Sequence, residues 1–405
     1  MVTLTVDLGL RIVAAVLQIF ATVVVLQILP PTEAGVYFKG FVIAYGLAAL
    51  LRGKYDLYVA QHFVGPRDST HSIRDLVRGL GIRILIRSAI ACAILLVVTT
   101  DLDVMDVYSR PNLQTYLPFV LAVPFATLAL YLANVLRALN HTLASTLVAT
   151  FSINSMILIV GYGASGSEDT LLRLLSWAFF AGAVLAAGVG VLITRRLFPP
   201  DSPAAPIVWP EVYAASARNG LAGIALACLQ WGPLCLLALL GGEIQIAHYA
   251  VVTRTANVID FFLIPAATLV PHSVTLGKLT TDLALSLTTT TVCVAAIAAA
   301  TPWIVDSYGE DYTGLTILFV LLFATQWLNG VGRPAIRHLA AHWHLPLIRR
   351  ILLLSMLVAL VSSCIGIPAY GALGAAISVC LGALFLNGQA VQAAFAGDRL
   401  REHAK

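Results

Sequence analysis

Charged residues are scarce in this sequence, where Asp, Glu, Lys and Arg together make up 11% of the 405 residues. A soluble domain carries roughly 25% of such residues, so this scarcity excludes a chain built mainly of soluble domains. Apolar residues account for 59% of the chain, and they fall into long runs separated by short polar stretches. The sequence therefore predicts an integral membrane protein made almost wholly of transmembrane helices.

The common catalytic motifs are also missing from the sequence. It contains no Walker A loop, no nucleophile elbow and no HExxH zinc motif. None of the six cysteines forms a C-x-x-C pair, and all of them lie in apolar runs, which is typical of small packing residues. We therefore expect a protein that is not an enzyme, that uses no cofactor and that binds no metal.

Two polar segments have alternative interpretations as sites. His338, His342 and His344 could bind a metal, but no carboxylate or cysteine lies nearby, so we interpret them as part of a basic cytoplasmic loop. The arginines of the segment Arg67–Arg87 are interpreted as an interfacial face for anionic membrane lipid, not as a catalytic array.

Apolar runs bounded by charges, proline and glycine predict twelve spans. We expect an all-α fold of two parallel six-helix bundles that face a central cavity, which is a plan typical of transporters. The Pro-rich segment 196–211 is expected to be a cytoplasmic linker between a bundle at 1–195 and a bundle at 212–405. The predicted spans are Leu8–Leu29, Gly40–Val64, Gly79–Thr100, Thr115–Arg137, Thr142–Gly163, Leu171–Ile193, Val212–Leu240, Ile246–Thr275, Asp282–Pro302, Thr313–Val331, Pro346–Ile367 and Ala372–Phe395.

The distribution of basic residues predicts the orientation of these spans. Most of the 24 Lys and Arg residues fall at one side of the membrane, including Arg74, Arg196 and Arg337, whereas the opposite loops are acidic, with Asp103 and Asp306 among them. Because cytoplasmic loops are enriched in Lys and Arg, both termini are expected to be cytoplasmic.

The two halves carry similar local patterns, which indicates an internal repeat. Ala34-Gly35-Val36-Tyr37 in the first half resembles Ile246-Ala247-His248-Tyr249 in the second. Tyr116 and Arg137 bracket the predicted fourth span, and Tyr312 and Arg333 bracket the predicted tenth span. Each half thus starts and ends on the same side of the membrane.

Ionisable residues inside two of the predicted spans are the main functional signal. An ionised side chain at the centre of a spanning helix costs about 2.5–3.5 kcal/mol on a translocon scale, so such residues must face a polar interior or pair with each other. The alternative to a functional role is that these residues form ion pairs that only stabilise the helix bundle. The candidate substrate-binding residues are Arg52, Lys54, Arg254, Asn257, Arg11, Gln18, Asn219 and Gln230, the candidate charge partners or ion-coupling residues are Asp56 and Asp260, and the candidate hinge residues are Pro265 and Pro271.

Three stretches resemble the polysaccharide flippases of the multidrug/oligosaccharidyl-lipid/polysaccharide exporter superfamily, of the O-antigen type. The first is Arg11–Phe41, with Leu-Pro-x-x-x-x-Gly-x-Tyr. The second is Ile244–Val274, which is similar to the family's Gly-x-Tyr-x-x-Ala-x-Arg stretch with Ala247 in place of the usual Gly. The third is Ser307–Ala335 together with Ile365–Gly382, which has Pro-x-Tyr-Gly-x-x-Gly-Ala-Ala.

The resemblance implies that the chain moves an undecaprenyl-diphosphate-linked oligosaccharide across a bacterial inner membrane for surface polysaccharide or lipopolysaccharide synthesis. It implies the lipid-linked sugar, anionic membrane lipid and glycan-assembly proteins as partners, and no nucleic acid. The diphosphate is anionic, which fits arginine and lysine in the candidate site.

Three other functions are kept as alternatives. A drug or cation antiporter of the same superfamily would favour acidic cavity walls over basic ones. A polymerase or ligase of polyprenyl-linked glycans would need catalytic residues in an extended outer loop. A structural scaffold would not account for buried charges in both halves.

Overall fold

A computed structural model describes residues 2–53, 55, 59, 73–101, 113–139, 141–198, 209–268, 276–341 and 345–402. Within these ranges the chain forms twelve long helices and no strand, which confirms the predicted all-α fold class. The helices are α1 Val2–Ile28, α2 Pro31–Arg52, α3 Ile73–Asp101, α4 Leu113–Ala138, α5 Thr142–Gly163, α6 Glu168–Leu197, α7 Trp209–Leu240, α8 Glu243–Thr268, α9 Leu276–Tyr308, α10 Thr316–Ala341, α11 Leu345–Tyr370 and α12 Ala372–Glu402.

The predicted second span, Gly40–Val64, is wrong in its bounds. Helix α2 begins at Pro31, because proline has the backbone angle of a first helical residue and lacks only an N–H that would be unpaired there. It ends at Arg52, and Gly53 follows with a positive φ of 64° and donates its N–H to the carbonyl of Leu50. Arg52 is therefore the last residue of the helix and does not lie at its middle.

The other spans were predicted closely, but several helices extend beyond the apolar run from which they were predicted. Helix α10 continues to Ala341, ten residues beyond the predicted end at Val331, because helix propensity and packing do not stop where hydropathy falls. His338 consequently lies buried in the last turns of α10, and its interpretation as a loop residue is wrong. His342 and His344 lie outside the described residues.

The chain divides into two compact units. The N-terminal unit is Val16–Ile224, and the C-terminal unit is Ala225–Lys405 together with Met1–Ala15. Each unit thus contains part of α1 and part of α7, the helices that open the two halves of the sequence. The predicted linker at 196–211 lies largely outside the described residues, so the predicted division of the chain stays a prediction.

The helices pair in the same way inside each unit. In the N-terminal unit α4 packs against α2, α3 and α6, and α5 packs against α6. In the C-terminal unit α10 packs against α8, α9 and α12, and α11 packs against α12. Small residues allow close approach: a Cβ on Gly182 of α6 would lie 2.7 Å from the backbone of Ile153 in α5. This correspondence supports the internal repeat that the sequence patterns indicate.

Ten of the described helices are long and apolar enough to cross a membrane, so the chain is a multi-pass membrane protein. Within the described residues, α8 and α10 are the two long helices that do not reach this apolarity. Both are packed inside the C-terminal unit, where other helices flank them. These two helices carry the polar residues Arg254, Asn257, Gln326 and Asn329 inside the C-terminal unit.

Candidate functional site

Arg254 is the buried charge around which the candidate site is built. It is the twelfth residue of α8, about 16 Å along the helix from Glu243 at 1.5 Å per residue, and its side chain is 8% exposed. A guanidinium at this depth stays protonated, so it must be compensated by polar neighbours inside the bundle.

Hydroxyl groups from α8 and α9 lie beside this arginine. The Thr255 Oγ1 and Tyr308 hydroxyl oxygens are 2.8 Å apart, and Thr255 also donates to the carbonyl of Val251. Because Thr255 donates its only proton to Val251, the Tyr308 hydroxyl is the donor to Thr255. The guanidinium of Arg254 interacts electrostatically with Tyr308. Helix α9 therefore contributes its last residue to the polar surroundings of Arg254.

An amide pair joins α8 to α10 one helical turn beyond Arg254. Gln326 Nε2 donates to Asn257 Oδ1 at 2.7 Å. Residues three apart on a helix lie on one face with about 5–6 Å between their Cβ atoms, so Arg254 and Asn257 share a face of α8. This face presents a cation followed by a neutral amide pair.

Helix α10 is hydrogen-bonded through side chains to three of its neighbours, α8, α9 and α12. Beyond Gln326, Asn387 Nδ2 of α12 donates to Asn329 Oδ1 at 3.1 Å, and Trp327 Nε1 donates to Thr291 Oγ1 of α9 at 3.0 Å. Ser286 of α9 donates to the carbonyl of Gly330 at 2.7 Å. Interhelical hydrogen bonds of this kind stabilise membrane bundles by about 0.6–2 kcal/mol each.

The turn before α10 packs against the start of α8. Tyr312, in the turn Glu310–Tyr312, is 2% exposed, and its ring meets the rings of His248 and Tyr308 edge-on at 5.5 and 6.4 Å. Burial raises the pKa of the Tyr312 hydroxyl, and the nearby Asp311 carboxylate raises it further. Tyr312 therefore stays neutral and acts as a packing residue at this end of the unit.

The N-terminal unit has different chemistry at the equivalent positions. Tyr37 is the seventh residue of α2 and Tyr249 the seventh of α8, and both are buried. In this register Arg254 corresponds to Val42 and Asn257 corresponds to Tyr45. Tyr45 belongs to an aromatic cluster in which the rings lie 4.7–5.9 Å apart, formed by Tyr37, Phe38, Phe41, Tyr45, Phe119 and Phe179.

The same register separates the two predicted charged positions. Arg52 is the twenty-second and last residue of α2, ten positions further along its helix than Arg254 is along α8. Arg52 and Arg254 therefore do not occupy equivalent positions along their helices. The hydropathy pattern did not indicate that Arg52 lies at a helix end, because the apolar run continues past Gly53.

The remaining predicted site residues fall into three groups. In the C-terminal unit, Arg11 is buried at 2% exposure and Gln230 is exposed; in the N-terminal unit, Gln18 is half-buried and its carbonyl accepts from Thr22 at 2.8 Å. Only the helical backbone is described for three residues, and the others lie outside the described ranges. The backbone-only residues are Asn219, Asp260 and Pro265, and those outside are Lys54, Asp56 and Pro271.

Sequence reasoning missed Gln326 and Tyr308, which lie beside the predicted Asn257 and Arg254, and Asn387, which bonds to Asn329 further along α10. Neutral amides and tyrosines do not stand out when spans are searched for charges. A signal was nevertheless present, since Gln326, Asn329 and Arg333 recur at intervals of three and four in an otherwise apolar helix. Among the described residues, no group of three or more His, Cys, Asp and Glu could hold a metal ion.

Comparison with known proteins gives matches of structure alone. No family model matches the chain, and no curated protein matches it by sequence. A multidrug resistance MATE family transporter of the MOP superfamily, in an inward-facing conformation, is similar over 99% of this chain and 98% of its own, with 15% identity and a TM-score of 0.63.

Two further solved structures extend this likeness. The lipid II flippase MurJ, in an inward closed conformation, is similar over 97% of this chain and 87% of its own, with 12% identity and a TM-score of 0.64. A MOP superfamily transporter from Pyrococcus furiosus covers 100% of this chain and 95% of its own, with 14% identity and a TM-score of 0.62. The chain therefore has the fold of these MOP superfamily transporters.

Proposed function

We propose that this chain is a membrane transporter that moves a polyprenyl-diphosphate-linked oligosaccharide across a bacterial inner membrane, as a flippase for cell-surface polysaccharide synthesis. Both termini are cytoplasmic in this proposal. The observation that carries it is the buried Arg254 in the C-terminal unit, which interacts electrostatically with Tyr308 and lies one helical turn from the Asn257–Gln326 amide pair.

The sign of the buried charge supports an anionic cargo. Among the described residues, the buried ionisable side chains of Asp, Glu, Lys, Arg and His are all basic: Arg11, Arg254 and His338. A diphosphate leaves water at a large cost, and charge-assisted hydrogen bonds from a guanidinium offset part of that cost. A lipid-linked diphosphate is the cargo whose headgroup needs such compensation while its tail stays in the hydrocarbon.

The shared fold supports transport of either a lipid-linked sugar or a drug. One structural neighbour is a lipid II flippase, and another is a multidrug resistance transporter. A drug or cation antiporter is thus the second candidate function, and its fold-level support is equal. Cationic drugs need acidic walls, however, and among the described residues the buried side chains of Asp, Glu, Lys, Arg and His are all basic.

A glycan polymerase or ligase has less support. Such an enzyme needs catalytic groups that reach its substrate outside the bilayer, whereas the described turns at the predicted outer side are short, such as the two residues between α7 and α8. Fold likeness to transporters also favours transport over catalysis.

Cells that lack the chain provide the test of this function. We expect such cells to accumulate the lipid-linked oligosaccharide on the cytoplasmic face and to lose surface polysaccharide, and the wild-type chain to restore both. Dye-efflux measurements on the same strains address the second candidate. Normal polysaccharide export combined with lost dye efflux would replace the flippase proposal with the antiporter.

A further inference from the structure

The amide pair Asn257–Gln326 has hydrogen-bonding capacity that the protein does not use. Gln326 Nε2 donates to Asn257 Oδ1 at 2.7 Å. In the part of the chain that the structure describes, Asn257 Nδ2 and Gln326 Oε1 have no hydrogen-bond partner, and neither is a fully buried atom. A carboxamide both donates and accepts, so the pair presents one amino group and one carbonyl oxygen to an accessible neighbour.

The second amide pair of the same helix makes more hydrogen bonds within the protein. Asn387 is 5% exposed, and its amino group donates both to Asn329 Oδ1 at 3.1 Å and to the carbonyl of Ala383 at 2.8 Å. A Cβ on Gly332 would collide with the side chain of Asn387, so the backbone of α10 approaches Asn387 closely. The Asn329–Asn387 pair thus braces α10 against α12, and it provides an internal reference because its amino group already donates to two acceptors in the protein.

The Asn257–Gln326 pair lies within reach of a ligand that is bound at Arg254. Asn257 is one helical turn from Arg254 on the same face of α8, at about 5–6 Å between Cβ atoms. In a diphosphate-linked glycan the first sugar ring is bonded directly to the phosphate. A phosphate at Arg254 would consequently place hydroxyl groups of that ring beside the amides.

We infer that Asn257 and Gln326 form a sugar-recognition subsite, which binds hydroxyl groups of the first sugar of the cargo. The inference rests on the proposed function and adds Gln326 to the residues that determine specificity. A sugar hydroxyl both donates and accepts a hydrogen bond, which matches the amino group of Asn257 and the carbonyl oxygen of Gln326. The equivalent of Asn257 in the N-terminal unit is Tyr45, inside an aromatic cluster, so the subsite belongs to one unit alone.

The test uses the purified full-length chain in proteoliposomes with two fluorescent lipids. One lipid is a polyprenyl diphosphate that carries a single sugar, and the other is the same polyprenyl diphosphate without sugar. Translocation of each is followed by quenching with a membrane-impermeant reductant. The variants are Gln326→Leu and Asn257→Leu, and the matched control is Asn329→Leu, which removes an interhelical amide bond of the same helix.

We expect wild-type protein to prefer the sugar-bearing lipid by about tenfold, the effect of losing one or two hydrogen bonds. Gln326→Leu and Asn257→Leu should lower that preference to near unity, because they slow the sugar-bearing lipid more than the sugarless lipid. Asn329→Leu should keep the preference. Because the readout is a ratio of two lipids, a partial folding defect does not alter it.

The outcomes separate the inference from the function on which it rests. A wild-type chain that moves both lipids without preference, or an Asn329→Leu variant that loses the preference as Gln326→Leu does, would overturn the subsite and leave the flippase proposal standing. A wild-type chain that moves neither lipid would contradict the flippase proposal, and the inference would fail with it.

Discussion

At the scale of single residues, Arg254 is the buried charge on which the proposed anionic cargo depends. Its cation is buried at 8% exposure and accompanied by neutral hydroxyl and amide groups. Arg254→Gln removes the charge but keeps a polar side chain, whereas Arg254→Lys keeps the charge but loses the planar fork that binds phosphate through two bonds.

We expect Arg254→Gln to weaken binding of a short-chain prenyl-diphosphate sugar about 10- to 100-fold, because a hydrogen bond to a charged group contributes roughly 1.5–3 kcal/mol. Arg254→Lys should fall between this variant and wild type. Binding can be measured with the purified chain in detergent. Equal affinity of wild type and Arg254→Gln for this ligand would show that Arg254 does not contribute to binding.

Gly332 shows how a residue without a side chain maintains the polar network. A Cβ at this position would collide with the Oδ1, Cγ and Cβ atoms of Asn387. We expect Gly332→Ala to displace Asn387 from Asn329 and to destabilise the protein by about 1–3 kcal/mol, the cost of overpacking a filled interior. Thermal unfolding in detergent measures the change.

The matched control is Gly388→Ala, on the same helix as Asn387, where a Cβ would meet no atom within 4 Å. This variant should be as stable as wild type. If both alanine variants unfold at the same temperature as wild type, the close packing at Gly332 does not contribute to the stability of the protein.

At the scale of helices, the start of α7 is fixed to α3 by one tryptophan. The Arg83 guanidinium lies 3.9 Å from the centre of the Trp209 ring, and a Cβ on Gly79 would collide with the same ring. Trp209 and Val212 also pack with a buried apolar cluster on α3 and α4 that includes Leu80. The contact joins the opening helix of the second half of the sequence to the N-terminal unit.

We expect Gly79→Ala to destabilise this contact by about 1–3 kcal/mol, whereas Gly81→Ala, which meets Leu128 at an ordinary 3.5 Å, should cost little. Trp209→Ala removes the colliding ring, so Gly79→Ala should cost less in that background than in wild type. Limited proteolysis between α6 and α7 and thermal unfolding both report the change. If Gly79→Ala lowers the stability equally in the two backgrounds, Gly79 does not pack against Trp209.

The twelve helices could be predicted from the sequence, but their ends could not. Long apolar runs and short polar breaks define how many helices cross a membrane, and the twelve predicted spans match α1–α12 in order. Local backbone chemistry decides where each helix ends: Pro31 starts α2 and Gly53 stops it. Hydropathy averages over both residues, so it placed Arg52 at the middle of a span.

The candidate site could be predicted in part. Arg254 and Asn257 stand out as polar residues at helical spacing, whereas their partners Tyr308 and Gln326 are 54 and 69 residues away from them in the sequence. Contacts between helices that are distant in sequence depend on how the bundle is assembled, and one sequence does not give that arrangement.

At the scale of the whole molecule, the two units have the same helix pairing but different residues at equivalent interior positions. The α2 positions that correspond to Arg254 and Asn257 are Val42 and Tyr45. The polar residues of the candidate site thus have apolar or aromatic counterparts in the N-terminal unit.

The orientation of the chain is a second property of the whole molecule. Asp306 is exposed near the end of α9, and Arg74 lies at the start of α3. In a cysteine-free background, Asp306→Cys should react with an impermeant maleimide in intact cells, and Arg74→Cys should react only after the membrane is opened. Labelling of position 74 from outside would reverse the orientation that the basic residues predict.

The measurement that tests the central claim most directly is translocation by the purified chain alone in proteoliposomes. The cargo is a fluorescent polyprenyl-diphosphate oligosaccharide, and a cationic dye serves as the competing cargo in the same vesicles. The account predicts that wild-type protein moves the anionic lipid, that Arg254→Gln slows this movement about 10- to 100-fold, and that neither moves the dye. Movement of the dye without movement of the lipid, or equal rates for wild type and Arg254→Gln, would contradict it.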